Sequence, residues 1–545
     1  MKSLSDILIK DLMNQGIKTF FGLQGGASAR LIESVVSLGG RFHPVLNEQT
    51  AGYAAHGYYL ANNQTAGVIF TTGPGLTNGV SGIAACYFDR IPLVVIVGQV
   101  GKDLNIAKKT KTRMVGFQEV QHLEIIKPIV DSSFKIESLE FYKKFREKIF
   151  ANNFNKKVFA FEFPDDIQRE KLNFLPNVKK KPVKRKKDIP QKTIHLISKL
   201  IKGSKKPLFI LGSGFAQSQD IKKSLEILKK YYCNLTLTWG AQNIQRHKKL
   251  NSIGLFGNHS PGTANAFLKE SDLIISMGAS LLQHQTLKIK NNFAKNAKII
   301  YIDTSINECK RAKNQFGKRL NYLNLDCHDF LEILEKKNCL QSIVVNEVKS
   351  SNFIHSNITP VNSLKTLFSK LDVNKSVIFS DAGASLSWSY QAANLLKNCA
   401  PIFTSFNLHT MGYANCAGIG AALGKKKNVY VIIGDGSLPM NSQELAWASR
   451  YKIKLIVIDN EGYGIIRQTQ REFYSSNFVA SDFRNNKAKM PLFSVSKILR
   501  SYDIEHEIID SKKINQTTFG SLIKSKKSSA IIIKTDYSAE VETYN

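Results

Sequence analysis

A single β-α-β unit near the carboxyl end of the chain constrains its fold most. An apolar run at 429–433 predicts a buried strand, and a helical stretch follows it. A second apolar run at 454–458 predicts the next strand of the same unit. Open α/β sheets bind ligands beyond the carboxyl ends of their parallel strands. Asp435 and Asn460, which directly follow these two strands, should therefore lie side by side at a binding edge.

The residues at this predicted edge suit a metal ion with a diphosphate. Asp435 offers a carboxylate, and Asn460 offers an amide oxygen 25 positions later. Gly436 lets the backbone approach a phosphate, while Ser437 adds a hydroxyl and an N–H group at a helix amino terminus. Magnesium prefers oxygen ligands and shares them with ligand phosphates, so a backbone carbonyl at Gly462 would complete the protein ligands. We expect a magnesium–diphosphate site here, rather than the acidic turn of an ordinary α/β edge.

Length and cysteine content bound the class of protein. The 545 residues are too many for one core and suit about three domains. No apolar run approaches the ~20 residues of a membrane span, and the amphipathic amino-terminal segment does not resemble a signal peptide. The seven cysteines are scattered without a CxxC pair, which indicates reduced thiols rather than a zinc site or disulfides. We therefore expect a cytoplasmic protein with no membrane partner.

The net charge of +33 is also compatible with a second class of function, the binding of polyanions. A basic excess of this size would suit a nucleic acid or a membrane surface. The densest basic run, at 178–187, however lies between two apolar-patterned regions and contains no aromatic residues for base stacking. It is typical of a charged interdomain linker. We expect no nucleic-acid partner, and a salt-titrated gel shift would reveal a basic nucleic-acid-binding protein on the same scaffold.

Five further segments accompany the β-α-β unit in a characteristic order. They read FGLQGGAS at 21–28, NEQTAGYAAHGYYLA at 47–61, TTGPGLTN at 71–78, DRIPLVVIVGQV at 89–100 and GFQE at 116–119. A Thr-Met-Gly-Tyr run at 410–413 precedes the GDG turn. GDG followed by a distant Asn resembles the thiamine diphosphate signature. The whole set resembles the acetolactate synthase-like branch of the thiamine diphosphate-dependent enzymes.

This resemblance covers essentially the whole chain and implies its architecture. It implies an α/β protein with three doubly wound parallel-sheet domains. These are a pyrimidine-binding domain at 1–178, a central domain at 189–340 and a diphosphate-binding domain at 361–545. In this family the cofactor lies between the first domain of one subunit and the third domain of another. The resemblance therefore implies a homodimer or homotetramer with the active site between subunits, and an inactive monomer.

The resemblance also assigns roles to individual residues. In this family the Glu that matches Glu48 hydrogen-bonds N1′ of the cofactor's aminopyrimidine, and its proton activates C2 of the thiazolium ring. The sequence alone also allows Glu48 to be an ordinary carboxylate in the first turn of a helix. Gln118 and Gly26 complete the expected catalytic set, and Asp435, Asn460 and Gly462 are the expected magnesium ligands. The remaining expected cofactor contacts are Gly383, Ala384, Ser385, His409, Met411, Gly436 and Ser437.

The implied reaction is decarboxylation of a 2-oxo acid, expected to be pyruvate, with carboligation of the two-carbon unit to an acceptor carbonyl. Thr469 stands where acetolactate synthases usually place a Trp against the acceptor, and Leu23-Gln24 replace the usual Tyr-Pro. The sequence therefore does not name the acceptor. The run 280–282 reads Ser-Leu-Leu instead of the Arg-Phe-Asp that helps to hold FAD, so we expect no FAD. A decarboxylase that releases the aldehyde is an alternative, although the sequence lacks the adjacent His pair frequent in such enzymes.

Overall fold

Three parallel sheets, one in each domain, form the body of the protein in a computed structural model. The structure describes residues 2–151, 157–172, 178, 189–218, 220–247, 249–260, 262–286, 293–346, 359–396, 398–424, 427–475, 477–484 and 493–543. Most of the basic run at 178–187, predicted to be a linker, lies outside these residues. No helix within the described ranges is long and apolar enough to cross a membrane.

The amino-terminal domain contains the first sheet. Its strands are Lys2–Ser3 (β1), Thr19–Gly22 (β2), Arg41–Pro44 (β3), Ala66–Phe70 (β4), Leu93–Gln99 (β5), Ser132–Lys135 (β6), Val158–Pro164 (β7) and Lys171–Leu172 (β8). Six of them form a parallel sheet in the order β3-β2-β4-β5-β7-β6, whereas β1 and β8 pair antiparallel. The helices are Leu4–Asn14 (α1), Ala29–Ser37 (α2), Glu48–Asn62 (α3), Pro74–Phe88 (α4), Ala107–Thr110 (α5), His122–Ile126 (α6), Leu139–Ala151 (α7) and Asp165–Arg169 (α8).

The middle domain contains the second sheet. Its strands are Pro207–Leu211 (β9), Leu235–Leu237 (β10), Ser252–Leu255 (β11), Leu273–Met277 (β12), Lys298–Asp303 (β13) and Leu320–Asn324 (β14). They are parallel, in the order β11-β10-β9-β12-β13-β14. The helices are Gln191–Gly203 (α9), Ser213–Ala216 (α10), Ile221–Lys230 (α11), Thr263–Glu270 (α12), Ile306–Phe316 (α13) and Cys327–Lys336 (α14).

The carboxyl-terminal domain contains the third sheet. Its strands are Ser376–Ser380 (β15), Ile402–Phe403 (β16), Asn428–Gly434 (β17), Lys454–Asp459 (β18), Glu505–Asp510 (β19) and Ser529–Lys534 (β20). They are parallel, in the order β16-β15-β17-β18-β20-β19. The helices are Thr359–Lys370 (α15), Ala384–Asn394 (α16), Tyr413–Ala422 (α17), Leu445–Arg450 (α18), Gly464–Phe473 (α19), Val495–Arg500 (α20) and Gly520–Lys524 (α21).

Apolar residues on both faces of the central strands explain why the sheets are covered on both sides. In β17, Val431 packs into one hydrophobic cluster and its neighbour Ile432 into another, because successive side chains point to opposite faces. Val94 and Val95 of β5 divide in the same way between two clusters. The prediction of three doubly wound α/β domains with parallel sheets is therefore confirmed.

A close helix pair joins the first domain to the third within the chain. α3 packs against α17, and a Cβ atom at Gly57 would overlap the carbonyl oxygen of Ala417. Glu444 of the third domain accepts hydrogen bonds from the backbone N–H groups of Leu46 (2.8 Å) and Asn47 (3.1 Å), directly before α3. Because glycine allows the two helices this close approach, α3 and α17 hold a fixed relative position.

Candidate active site

A cavity of about 360 Å³ lies beyond the carboxyl ends of three neighbouring strands of the third sheet. The strands are β15, β17 and β18, which pair side by side in parallel register. Residues 382–388, 434–437, 460 and 462–466, at and beyond the ends of these strands, line the cavity. The fold therefore brings the ends of separate strands to one site, as the β-α-β unit predicted for Asp435 and Asn460.

All ten residues predicted to contact the cofactor from the third domain line this one cavity. They are Gly383, Ala384, Ser385, His409, Met411, Asp435, Gly436, Ser437, Asn460 and Gly462. The structure thus places them together, while their individual roles remain predictions.

Asp435 carries the only carboxyl group among the described lining residues, and it is almost fully buried. Its Oδ2 accepts a hydrogen bond from the backbone N–H of Gly462 at 3.0 Å, but it forms no ion pair with a described residue. Burial first, and then the charge of Asp459, raise the pKa of Asp435 to about 7. Asp459 itself pairs with Lys534 at 2.6 Å. A buried carboxylate without a cation, next to the amide of Asn460, has the donor chemistry that fits a divalent ion.

Gly383 leaves open space at the start of α16, whereas Gly436 allows close packing against Tyr463. Gly383 has φ 90°, a backbone conformation that side chains disfavour, and it immediately precedes α16. A Cβ atom at Gly436 would collide with the ring of Tyr463. The first residues of α16, Ala384 and Ser385, lie on the cavity lining, and a helix amino terminus favours anions. This cradle and the donors at Asp435 and Asn460 fit a diphosphate with its metal ion.

Asp381 positions the loop that carries His409 and Met411, and sequence reasoning did not single it out. The carboxylate is fully buried and accepts hydrogen bonds from the backbone N–H groups of Gly412 (2.9 Å) and Tyr413 (3.3 Å). Burial raises the pKa of Asp381 to about 7. His409 has φ 51°, so the loop turns sharply just before Met411. The contact joins the end of β15 to the start of α17.

The three predicted catalytic residues lie elsewhere, in the first domain, and none of them lines the described cavity. Glu48 is the first residue of α3; its side chain is buried and accepts a hydrogen bond from Asn78 Nδ2 at 3.2 Å. Gly26 begins a short 3₁₀ turn with open space beside its Cα. Gln118 has φ 61°, and its carbonyl accepts a hydrogen bond from Thr72 Oγ1 at 2.9 Å. One chain does not bring these residues into the cavity with Asp435.

The wall opposite the third sheet comes from the middle domain. The segment at 256–259 follows β11, and His284 and Gln285 follow β12. Trp239 lies beside them and stacks on Tyr390 of α16, with ring centroids 4.7 Å apart. No motif marked these residues in the sequence, because they reach the cavity only through the packing of two domains.

Comparison with known proteins agrees with this arrangement domain by domain. Residues 2–125 match the model described as "Thiamine pyrophosphate enzyme, N-terminal TPP binding domain", 194–317 match its central domain, and 381–533 match its C-terminal TPP binding domain. The chain belongs to the thiamine pyrophosphate enzymes. The three matches follow the order predicted from the sequence, and the enzyme class, thiamine diphosphate-dependent and acetolactate synthase-like, is confirmed.

The curated relatives of this thiamine pyrophosphate enzyme include acetolactate synthases. It is 27% identical to the acetolactate synthase large subunit of Lactococcus lactis, over 93% of this chain and 88% of that protein. It is 29% identical to a probable acetolactate synthase large subunit of Methanococcus aeolicus, over 94% of this chain and 88% of that protein.

A solved structure shares the fold. The thiamine diphosphate-dependent 4-hydroxybenzoylformate decarboxylase of Rhodococcus jostii superposes with a TM-score of 0.76. The match covers 99% of this chain and 100% of that one, at 15% sequence identity. At this identity the match supports the three-domain fold and says nothing about the substrate.

Proposed function

We propose that this enzyme catalyses the magnesium-dependent decarboxylation of pyruvate and the carboligation of the two-carbon unit to an acceptor carbonyl. One observation carries the proposal: the ten predicted cofactor contacts converge on one cavity at the carboxyl edge of the third sheet. The kinship with acetolactate synthases supports a 2-oxo acid as donor. All seven cysteines are buried and none forms a disulfide, which supports the further proposal of a reducing, cytoplasmic setting.

The third domain would hold the cofactor by its charged end. Asp435, Asn460 and the carbonyl of Gly462 are the proposed magnesium ligands, and the glycine cradle at 383–385 with Gly436-Ser437 would receive the diphosphate. When bound, thiamine diphosphate would supply a carbon nucleophile at its thiazolium ring, and the ring would accept the electron pair left when carbon dioxide departs. Met411 would pack against the central part of the cofactor and orient it.

The first domain would supply the acid–base group. We propose that Glu48 holds a proton against N1′ of the aminopyrimidine, with Asn78 fixing its side chain. Gln118 and Gly26 would lie near the reacting carbon. Because none of the three lines the cavity of its own chain, we propose that a second copy brings them there in a homodimer or homotetramer. Magnesium dependence and an inactive monomer follow from this arrangement.

The test measures carbon dioxide release from pyruvate, with and without thiamine diphosphate and Mg²⁺. We expect release only with both present, and a ligated product in the mass spectrum when an acceptor aldehyde or ketone is added. Release of acetaldehyde alone across a broad panel of acceptors would identify a decarboxylase instead. No release from any 2-oxo acid by fully loaded enzyme would overturn the proposal.

A further inference from the structure

The loop at 404–412 joins β16 to α17 and carries two of the predicted cofactor contacts, His409 and Met411. Both residues line the cavity. The loop contains no helix or strand, and all of its residues are described. Its position therefore depends on the groups outside it that form hydrogen bonds with its backbone. Those groups come from two different domains.

Asp89 of the first domain, directly after α4, binds the start of this loop. Its buried side chain accepts hydrogen bonds from the backbone N–H groups of Phe406 (2.7 Å) and Asn407 (2.9 Å). Asn407 also donates to it from the side-chain Nδ2 at 2.8 Å. Hydrogen bonds to a charged acceptor are roughly twice as strong as those between neutral groups. Asp89 therefore fixes the start of the loop to the first domain.

His56, in the middle of α3, connects Asp89 to the residue that ends the loop. Its Nε2 lies 3.0 Å from Asp89 Oδ2, and its Nδ1 lies 2.7 Å from the hydroxyl of Tyr413, the first residue of α17. Burial first, and then the charge of Asp89, raise the pKa of Tyr413, so its hydroxyl keeps its proton. The Tyr413 hydroxyl can therefore donate to Nδ1 while the Nε2–H group donates to Asp89, as a neutral imidazole allows.

The loop is thus tied to two domains. Asp381, which follows β15, holds its end through backbone N–H groups from within the third domain. His56 and Asp89 hold both of its ends from the first domain, on elements that do not line the cavity. The position of His409 and Met411 therefore depends on a domain that lies outside the cavity of this chain.

The network is complete within one chain. The side chains of His56 and Asp89 are 0% and 2% exposed, and Tyr413 is fully buried. Both ring nitrogens of His56 and both carboxylate oxygens of Asp89 have partners within the same chain. A second copy cannot reach these buried side chains, so the contacts hold in any oligomer. Removing one member leaves a buried polar group unpaired, which is costly.

We propose that His56 and Asp89 are positioning residues for the cofactor: they hold the loop at 404–412 so that His409 and Met411 face the cavity of their own chain. This inference rests on the proposed cofactor site. It gives α3 two tasks, because Glu48 at its first residue is proposed to serve the cavity of a second copy. A network that only joined the two domains would affect stability and leave cofactor binding unchanged.

A matched pair of tyrosine variants separates positioning from stability. Tyr413→Phe removes the hydroxyl that reaches His56, and Tyr142→Phe removes an equally buried hydroxyl that donates to Asp11 at 2.6 Å, away from the cavity. Both variants should unfold at lower urea concentration. Only Tyr413→Phe should raise the Kd for thiamine diphosphate in Mg²⁺, by about threefold to tenfold in calorimetry. An unchanged Kd in Tyr413→Phe, or an equal rise in both variants, would overturn the proposal.

Substitutions of His56 test whether its two hydrogen bonds carry the effect. His56→Leu removes both, so the Kd for thiamine diphosphate should rise about tenfold or more. His56→Gln keeps one donor and one acceptor and should recover most of the lost affinity. It also serves if His56→Leu fails to fold. Native affinity in folded His56→Leu protein would contradict the assignment, as would equal losses in the two folded variants.

Hydrogen–deuterium exchange tests the loop itself in protein without cofactor. Asp89→Asn replaces one carboxylate oxygen by an amide that cannot accept, so exchange in the peptide at 404–412 should be at least about tenfold faster, as losing a charge-assisted hydrogen bond implies. The peptide at 105–116 is an internal reference, because the buried Glu119 accepts from its backbone N–H groups and is untouched. Tyr413→Phe serves if Asp89→Asn fails to fold. Native exchange of the loop in the folded variant would refute the proposed anchoring.

The outcomes distinguish this inference from the proposed function. Native enzyme that binds thiamine diphosphate but releases no carbon dioxide from any 2-oxo acid would reject the proposed reaction and leave the role of His56 and Asp89 intact. Native affinity and native loop exchange in the folded variants would reject that role and leave the reaction intact.

Discussion

The first and third sheets have the same strand order, yet their carboxyl edges carry different chemistry. Counted along the chain among the strands of each six-stranded sheet, both orders are 2-1-3-4-6-5. In the third sheet, the third and fourth strands lead into Asp435 and Asn460, which line a cavity. In the first sheet, the third strand leads into Thr72 and the fourth ends at Gln99, and these two side chains bond to each other at 3.0 Å.

At the carboxyl edge of the first sheet, the side chains form hydrogen bonds with a loop of the same domain. The carboxyl edge of the third sheet instead borders a cavity. Thr72 Oγ1 also donates to the carbonyl of Gln118, and Gln99 Nε2 donates to the carbonyl of Val120 at 2.8 Å. His122 accepts from the backbone N–H of Gly73 at 3.0 Å and contacts Glu162 at 3.1 Å. Topology thus sets where strand ends meet, and the side chains there decide between a folded loop and a binding site.

Removing Asp435, at the carboxyl edge of the third sheet, should have the largest effect on cofactor binding. Asp435→Ala should abolish binding of thiamine diphosphate in the presence of Mg²⁺, because it deletes the one carboxylate among the described residues of the cavity lining. Calorimetry measures the affinity, and circular dichroism checks the fold. The matched control is Glu507→Ala, an exposed acid on the edge strand β19, which should bind normally. Retained affinity in folded Asp435→Ala protein would refute the metal site.

Changing the acid of the first domain should slow chemistry instead of binding. Glu48→Gln keeps the shape and the contact with Asn78 but loses the transferable proton. Hydrogen–deuterium exchange at C2 of the bound cofactor should slow by ~10² to 10⁴, the usual range for one positioned acid–base group.

Glu33→Gln, an exposed acid on α2, is the control for this substitution. At equal cofactor occupancy, equal exchange rates in Glu48→Gln and native enzyme would falsify the proposed role. A collapse of occupancy itself would show that Glu48 is a structural residue of the helix start.

Removing hydrogen bonds from the network at the carboxyl edge of the first sheet should lower the free energy of unfolding. Thr72→Val removes one hydroxyl that donates to the Gln118 carbonyl and to Gln99 Oε1. Leaving buried acceptors unpaired should lower the free energy of unfolding by ~1–3 kcal/mol, measured by urea denaturation. Thr366→Val, on the exposed face of α15, should change it much less. Equal stability of the two variants would show that the network does not hold the loop.

The second sheet extends the comparison, since its strand order is 3-2-1-4-5-6. The run 280–282 replaces the Arg-Phe-Asp expected of a flavin site, and its carbonyl groups at Ser280 and Leu281 accept from Arg311 and Gln315. We expect purified protein to show no flavin absorbance and to need no added FAD. A stoichiometric flavin band would contradict this prediction.

Much of the fold was predictable from the sequence, for a local reason. The runs at 429–433 and 455–458 are apolar on both faces, as the strands of a buried parallel sheet are, and the structure places β17 and β18 there. The motif order also predicted the three domains and the ten residues that meet at the cavity. These features depend on short segments and on the rule that ligands bind where parallel strands end.

Only the tertiary structure decided the rest. Asn258 and His284 are far apart in the sequence from Asp435, and only domain packing places them across the cavity from it. The same packing fixes Asp381 under the loop of Met411 and leaves Glu48 outside the cavity of its own chain. Contacts between domains depend on many side chains at once, so no local pattern encodes them. The sequence therefore determined the strands and the residues at their carboxyl ends, and the packing of whole domains determined which other residues line the cavity.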